Sequence, residues 1–366
     1  MNKVLVVNTV PTDRNGITNV IFSYYQSTLV ESYVMDYVSI NELSDDYKSM
    51  VQRAGGKIYV IRRSSKKLLS YVAQLQRVIA NGGYDAVHIH GNSHTVVIEL
   101  LAAYWAKCKV RIVHSHSTST NFPIIHRVLA LPFYKLCNGR LACSEKAGAW
   151  MYGKKSYRVI RNGINTSSFA FNKEERLTVR KELGWEECVI LGHVGDFSLN
   201  KNQSFLIDVL QILRNKDINY RLALIGEGEQ KSSVKQKVEQ LGLTDSVLFT
   251  GKIPNVYRYL NAFDIILMPS FHEGLPVTLV EQQANGIRCI VSDSVSREAN
   301  ITGYVSYLPL DVNDWAKEVY SIEAETDKNR CKRSCDSIHK MIESGYDVKS
   351  SSQALNDYYN NIILGL

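Results

Sequence analysis

Asp264-Ile265-Ile266-Leu267-Met268-Pro269, then Phe271-His272-Glu273-Gly274-Leu275-Pro276-Val277-Thr278-Leu279-Val280-Glu281-Gln282-Gln283-Ala284-Asn285-Gly286, reads as strand, turn and helix. Pro276 suits the first helical position, where its missing N–H costs nothing, and Gly286 suits a left-handed stop. The helix is therefore expected to begin just after Glu273. Gly274 lets backbone approach a ligand, and the free amides of residues 275–278, with the helix dipole behind them, would make an anion site. Glu273 precedes the helix and Glu281 lies more than a turn inside it, so the two carboxylates should sit at different depths. Two acids beside a phosphate cradle suit a sugar nucleotide, whose ribose and hexose hydroxyls need acceptors. The plainer alternative is an amphipathic helix with solvated acids.

At 366 residues the chain exceeds what one core usually holds, and two domains are expected. No apolar run approaches the roughly 20 residues that span a bilayer. The opening Met1 to Val7 reads as a strand leading to a polar loop, unlike a signal peptide. Seven scattered cysteines without a Cys-x-x-Cys pair point to free thiols in a reducing cytoplasm and to no zinc site. The formal +7 hides an asymmetry: residues 1–166 carry 21 Lys/Arg against 9 Asp/Glu, a net of +12, and residues 167–366 carry 22 against 27, a net of −5. The first half thus favours an anionic partner such as a membrane surface, a lipid phosphate or nucleic acid. Nucleic acid is set aside for want of any recognition motif.

Short apolar strands alternate with helical stretches along both halves, which argues parallel sheets covered by helices on both faces. In the first half the strands are 3–8, 33–38, 58–61, 86–90 and 111–114, with helices at 17–30, 66–80 and 94–105. In the second they are 189–194, 221–225, 247–250 and 265–268, with helices at 173–183, 204–213 and 231–241. Two stretches have the character of a membrane-surface element. Lys66 to Ala80 carries an apolar stripe behind Arg62, Arg63, Lys66 and Lys67, a pattern that more often marks core. Phe122-Pro123-Ile124-Ile125-His126-Arg127-Val128-Leu129-Ala130-Leu131-Pro132-Phe133 is the better candidate for lipid contact, with burial as its rival. The last helix, 348–364, has apolar Leu355, Tyr358, Tyr359, Ile362 and Ile363 that need a surface to pack on.

The remaining constellations are individually weak. The loop Pro11 to Thr18, with Asp13, Arg14 and Asn15 before Gly16, holds one glycine where a dinucleotide fingerprint wants three. Gly226-Glu227-Gly228 also lacks the third, and reads as a tight turn lining a cleft. His88, His90, His114 and His116 end two predicted strands, at the edge where open sheets bind ligands. They read as hydrogen-bonding site histidines ahead of structural ones, and a metal pair is disfavoured because no acid is near in sequence. Lys201, in the loop Gly195 to Asn202, could stabilise a departing nucleoside diphosphate.

Together these pieces resemble glycosyltransferase family 4, retaining enzymes built from two Rossmann-like domains facing a central cleft (GT-B), and the resemblance runs over nearly the whole chain. It is carried by Glu273 and Glu281 with seven residues between, Asn162-Gly163-Ile164-Asn165 with Phe169, Leu224-Ile225-Gly226-Glu227-Gly228, and Phe249-Thr250-Gly251. The style is that of bacterial capsular and exopolysaccharide transferases. The resemblance implies an acceptor-side domain (1–166), a donor-binding domain (167–346) and a C-terminal helix (347–366) crossing back onto the first. It implies that Glu281 accepts from ribose, Glu273 faces the donor sugar, and the backbone of Gly274, Leu275, Pro276, Val277 and Thr278 holds phosphate or sugar. Gly251, Lys252, Ile253 and Pro254 would hold the base, with Gly226 lining the site. Gly16 would let its loop approach the diphosphate, and His116 matches the histidine placed near the reacting carbon. His116, Glu273 and Lys201 are the catalytic expectations.

The expected reaction moves a hexose from a nucleotide sugar, a UDP-sugar, to a lipid-linked oligosaccharide, without cofactor or metal, at the inner face of the plasma membrane. One departure stands out: Gly195-Asp196 replaces the family's Gly-Arg pair, although Lys201 is kept. A buried unpaired acid beside a diphosphate would repel it by several kcal/mol, with His193 or the basic first half as substitute cations. Two rival readings follow, a non-catalytic scaffold that binds a partner transferase and a UDP-sugar 2-epimerase. Loop residues around His90, Asn121 and His272 are expected to set sugar and acceptor.

Overall fold

The computed structural model describes residues 1–12, 16–216, 219–322 and 327–365, apart from the side chain of Ser65. The chain divides into two compact units, Met1–Ile164 with Gly345–Leu366, and Asn165–Ser344. The division falls inside the Asn-Gly-Ile-Asn turn, two residues before the boundary expected from the sequence, and the return to the first unit is likewise two residues early.

The first unit holds a seven-stranded parallel sheet, β1 (Asn2–Asn8), β2 (Tyr33–Ser39), β3 (Ile58–Val60), β4 (Ala86–Gly91), β5 (Val110–Ser115), β6 (Gly139–Ala142) and β7 (Arg158–Val159). Its order is β3-β2-β1-β4-β5-β6-β7. The second unit holds a six-stranded parallel sheet, β8 (Val189–Val194), β9 (Tyr220–Ile225), β10 (Val247–Gly251), β11 (Ile265–Met268), β12 (Arg288–Ser292) and β13 (Val305–Leu308), in the order β10-β9-β8-β11-β12-β13. Burial on both faces explains why these strands read as continuous apolar runs. Val4 and Val6 feed one core of the first unit and Leu5 and Val7 the other. Leu191 and Leu267 feed one core of the second and Ile190 and Ile266 the other.

In each sheet the strand order reverses once, between β1 and β4 and between β8 and β11. Open α/β sheets leave a crevice there, at the carboxyl ends of the strands.

Several elements differ from expectation. The helix expected at 17–30 is two, Gly16–Tyr25 and Leu29–Ser32. The stretch at 66–80 opens with a short 3₁₀ turn before the helix Leu68–Gly82, and its stripe is core: Tyr71, Leu75 and Ile79 are buried. Four strands, β6, β7, β12 and β13, went unread in the sequence.

The last helix, Val348–Tyr359, continues as a π turn, Asn360–Leu364. It packs on the first sheet through Leu355 and Tyr359, with Tyr358, Ile362 and Ile363 beside them. Gly163 permits this, since a Cβ there would meet Ser351 Oγ at 2.2 Å. None of the seven cysteines forms a disulfide. Among the described residues no helix is long and apolar enough to cross a membrane.

Candidate active site

In the second unit the loops that leave β8 and β11 flank the strand-order reversal, and they are stitched together. Asn202 Nδ2 donates to the Pro269 carbonyl at 3.3 Å, and the amide of Phe271 donates to the Asn200 carbonyl at 2.8 Å. The Asn200 side chain clamps the next residue from both sides: Oδ1 accepts from the His272 amide at 3.1 Å and Nδ2 donates to its carbonyl at 2.9 Å. Beyond this clamp Lys201 Nζ donates to Glu273 Oε1 at 2.6 Å, with both side chains 15% exposed. The backbone of Glu273 is pinned as well, by a parallel bridge to Val295 and by its carbonyl accepting from the Ser296 amide.

The helix itself is Val277–Ala284, with Pro276 as N-cap in extended conformation. It therefore starts three residues later than expected. Glu273 is held by its bridge to Val295, the chain bends at Gly274 and Leu275, and the helix starts only after the extended Pro276. The first helical bonds run from the amides of Leu279 and Val280 to the Pro276 carbonyl, so the amides of Val277 and Thr278 lie ahead of the ladder. Glu281 sits one turn further in. Burial pushes its carboxyl up to about 7.

The loops after β8, β9 and β10 interlock through glycines. Gly195 donates to the Ile225 carbonyl, Phe197 to that of Glu227, and Gly226 to that of Gly251. Gly226 has φ +147, and a Cβ on it would meet the Gly195 carbonyl oxygen at 1.9 Å. Gly251 ends β10, and Lys252 and Pro254 are exposed on the loop beyond, while Ile253 is half-buried against the core.

In the first unit Gly16 is the first residue of its helix, and Asp13, Arg14 and Asn15 lie outside the described residues. His88 and His90 on β4 and His114 and His116 at the end of β5 form a stack, with ring centroids 4.2 to 5.5 Å apart. His90 Nδ1 and His116 Nε2 share a hydrogen bond of 2.9 Å, and His88 Nδ1 bonds the Tyr359 hydroxyl at 2.6 Å. Burial lowers His116 to about 4 and His88 to about 3, and takes His90 and His114 down too, so the stack is neutral at neutral pH. Donor atoms of His88, His90 and His114 lie within 4.8 Å of one another, the one grouping among the described residues close enough to share a metal ion. Their ring planes lie 7° apart for His88 and His114, 30° for His88 and His90, and 31° for His90 and His114.

Paired loops at a strand reversal, a helix start and a half-buried acid one turn inside it make the candidate site of the second unit, and comparisons with known proteins give the chain's family. The Glycosyltransferase Family 4 model matches residues 30–168, and the Glycosyl transferases group 1 model matches residues 175–334. The chain is 30% identical over 365 residues to the putative glycosyltransferase EpsF of Bacillus subtilis, covering 95% of this chain and 94% of that one. The chain belongs to the family 4, group 1 glycosyltransferases. It is 23% identical to an Escherichia coli UDP-Gal:alpha-D-GlcNAc-diphosphoundecaprenol alpha-1,3-galactosyltransferase, covering 82% of this chain and 81% of that one. The crystal structure of Anabaena Alr3699/HepE in complex with UDP shares the fold, with a TM-score of 0.77 at 16% identity over 99% of this chain and 100% of that one. The architecture is thus GT-B, and the chain is an enzyme of glycosyl transfer.

Two expectations about this glycosyltransferase need revision. Asp196 is exposed, so the cost reckoned for a buried unpaired acid does not arise. His193 cannot replace the missing arginine: it is buried, its Nδ1 bonds the Leu267 carbonyl, and burial lowers it to about 4, leaving the ring uncharged. Asn200 went unread in the sequence. A lone loop asparagine carries no signal, and its role exists only because β11 lies beside β8.

Proposed function

We propose that this glycosyltransferase moves a hexose from a UDP-sugar to a lipid-linked oligosaccharide in bacterial capsular or exopolysaccharide synthesis, with retention at the anomeric carbon. The observation that carries the reading is the Lys201–Glu273 pair, 2.6 Å apart on the two loops at the strand reversal, just ahead of the Val277–Ala284 helix. Without donor, Glu273 neutralises Lys201. A diphosphate would draw on the same ammonium, and the carboxylate would then face the sugar hydroxyls.

In this reading Lys201 and the amides of Gly274, Leu275, Val277 and Thr278 stabilise the leaving diphosphate, and the acceptor hydroxyl attacks on the same face. These protein groups, rather than a resident metal, meet the charge. Glu281 has a carboxyl that burial keeps near neutrality, and two ribose hydroxyls would supply the donors it needs. Gly226 and Gly251 to Pro254 border the donor. The donor class is supported by the UDP held by HepE, and the acceptor class by the diphosphoundecaprenol in the name of the Escherichia coli relative. The protein would work at the inner face of the membrane, drawn there by the +12 of residues 1–166.

Calorimetric titration with UDP, using GDP and NAD as controls, tests the donor site. Binding of UDP alone supports the reading, and transfer from UDP-sugars to membrane extract completes it. Silence with every nucleotide overturns it in favour of a scaffold, and conversion of UDP-N-acetylglucosamine without acceptor overturns it in favour of an epimerase.

A further inference from the structure

The stretch 122–133 is folded inside out. Its helices Pro123–Val128 and Ala130–Leu136 leave Ile124 76% exposed, Val128 71%, Leu131 66%, Phe122 57% and Ile125 47%. The side chain they bury, besides Phe133 and Leu136, is a histidine. His126 lies between the rings of His94, 3.8 Å away, and Trp150, 4.4 Å away, and its carbonyl and Nδ1 both bond His94. A segment free to collapse would bury the apolar side chains and expose the histidine. Here the histidine pins the segment, and the apolar side is held in solvent at a free-energy cost that makes sense only if something else covers it.

Charge indicates what covers it. The two helices carry no acidic residue, and Arg127 and Lys135 are exposed on them. A protein partner or a second copy of this chain would ordinarily be matched by charges of both signs. We propose that Phe122 to Leu131 is a membrane wedge: the apolar side chains enter the headgroup boundary of an anionic bilayer, and Arg127 and Lys135 meet its phosphates. This rests on the proposed lipid-linked acceptor only in supplying a reason for the wedge, since vesicle binding and UDP binding are measured separately.

The test is co-sedimentation with phosphatidylglycerol-containing and pure phosphatidylcholine vesicles, at low and high salt. Wild type should bind the anionic vesicles. The double variant Ile124→Ser/Val128→Ser should lose binding at least about tenfold at either salt, as expected for apolar groups at an interface. Arg127→Gln and Lys135→Gln should each cost about fivefold at low salt and little at high salt. All these residues are exposed, so melting temperature and UDP affinity should not move. Equal binding by wild type and the double variant overturns the proposal, as does failure of wild type to bind either vesicle. A dimer that the double variant dissociates, with vesicle binding unchanged, assigns the patch to a second copy instead. UDP binding and transfer to a water-soluble acceptor in a protein that ignores vesicles would remove the wedge and leave the function standing.

Discussion

The two sheets share a parallel, once-reversed plan, yet they end in opposite chemistry. The first carries four stacked imidazoles at its carboxyl edge, rendered neutral by burial. The second carries an ion pair and an acid poised near neutrality. Depth decides the difference. His88, His90 and His114 lie within the strands, where low dielectric disfavours charge. Lys201 and Glu273 lie on loops beyond the strand ends, close enough to neutralise each other and partly open to water. The same fold thus holds a buried, uncharged polar cluster in one unit and a charge-bearing pair in the other.

The most severe way to break that contrast is to remove the ion pair. Glu273→Ala should cut transfer by roughly 10²–10⁴-fold, the range for losing a positioned group at the reacting centre. Near-normal turnover would sink its role. Next, Glu281→Ala should weaken UDP binding by about ten- to a hundredfold, the worth of hydrogen bonds to a charged acceptor. Because ribose hydroxyls favour the carboxylate, wild-type UDP affinity should rise with pH through about 7, with proton release visible in calorimetry across buffers. Glu281→Gln should flatten that profile, and a persistent pH dependence in the variant would count against the assignment.

The histidine stack sharpens the comparison from the other side. The unfolded chain takes up protons near 6.5, whereas His116 and His88 resist until about 4 and about 3. Stability should therefore be full above pH 6.5 and fall as the pH drops toward 4, by up to ~1.4 kcal/mol per pH unit per histidine. Denaturation midpoints that stay flat over that interval would contradict a neutral stack. The smallest effect is expected at exposed Asp196: Asp196→Arg should change turnover by no more than about fivefold, as for other exposed charges. A hundredfold gain would mean that this position faces the diphosphate after all.

Legibility followed apolar length. β8 and β11 were read to the residue, being runs of β-branched and aliphatic residues between clear breaks, whereas β7, with two residues, could not be seen. The Val277–Ala284 helix was legible in kind but not at its start, because the chain bends at Gly274 and Leu275 beyond the tertiary bridge from Glu273 to Val295. The sequence ranked 66–80 as core and 122–133 as the better candidate for lipid contact, with burial as its rival. One buried its stripe and the other was turned outward by His126, which is held by His94 and Trp150 from distant elements.

Strand-helix alternation, the basic first half and the Glu273/Glu281 spacing are properties of the chain, since they depend on local pattern and on composition. The order of the strands, the clamp by Asn200, the neutrality of His193 and the exposure of Asp196 belong to the tertiary structure. Each depends on which distant segment lies alongside and how much water it excludes, and those quantities appear only once β11 has come to rest beside β8.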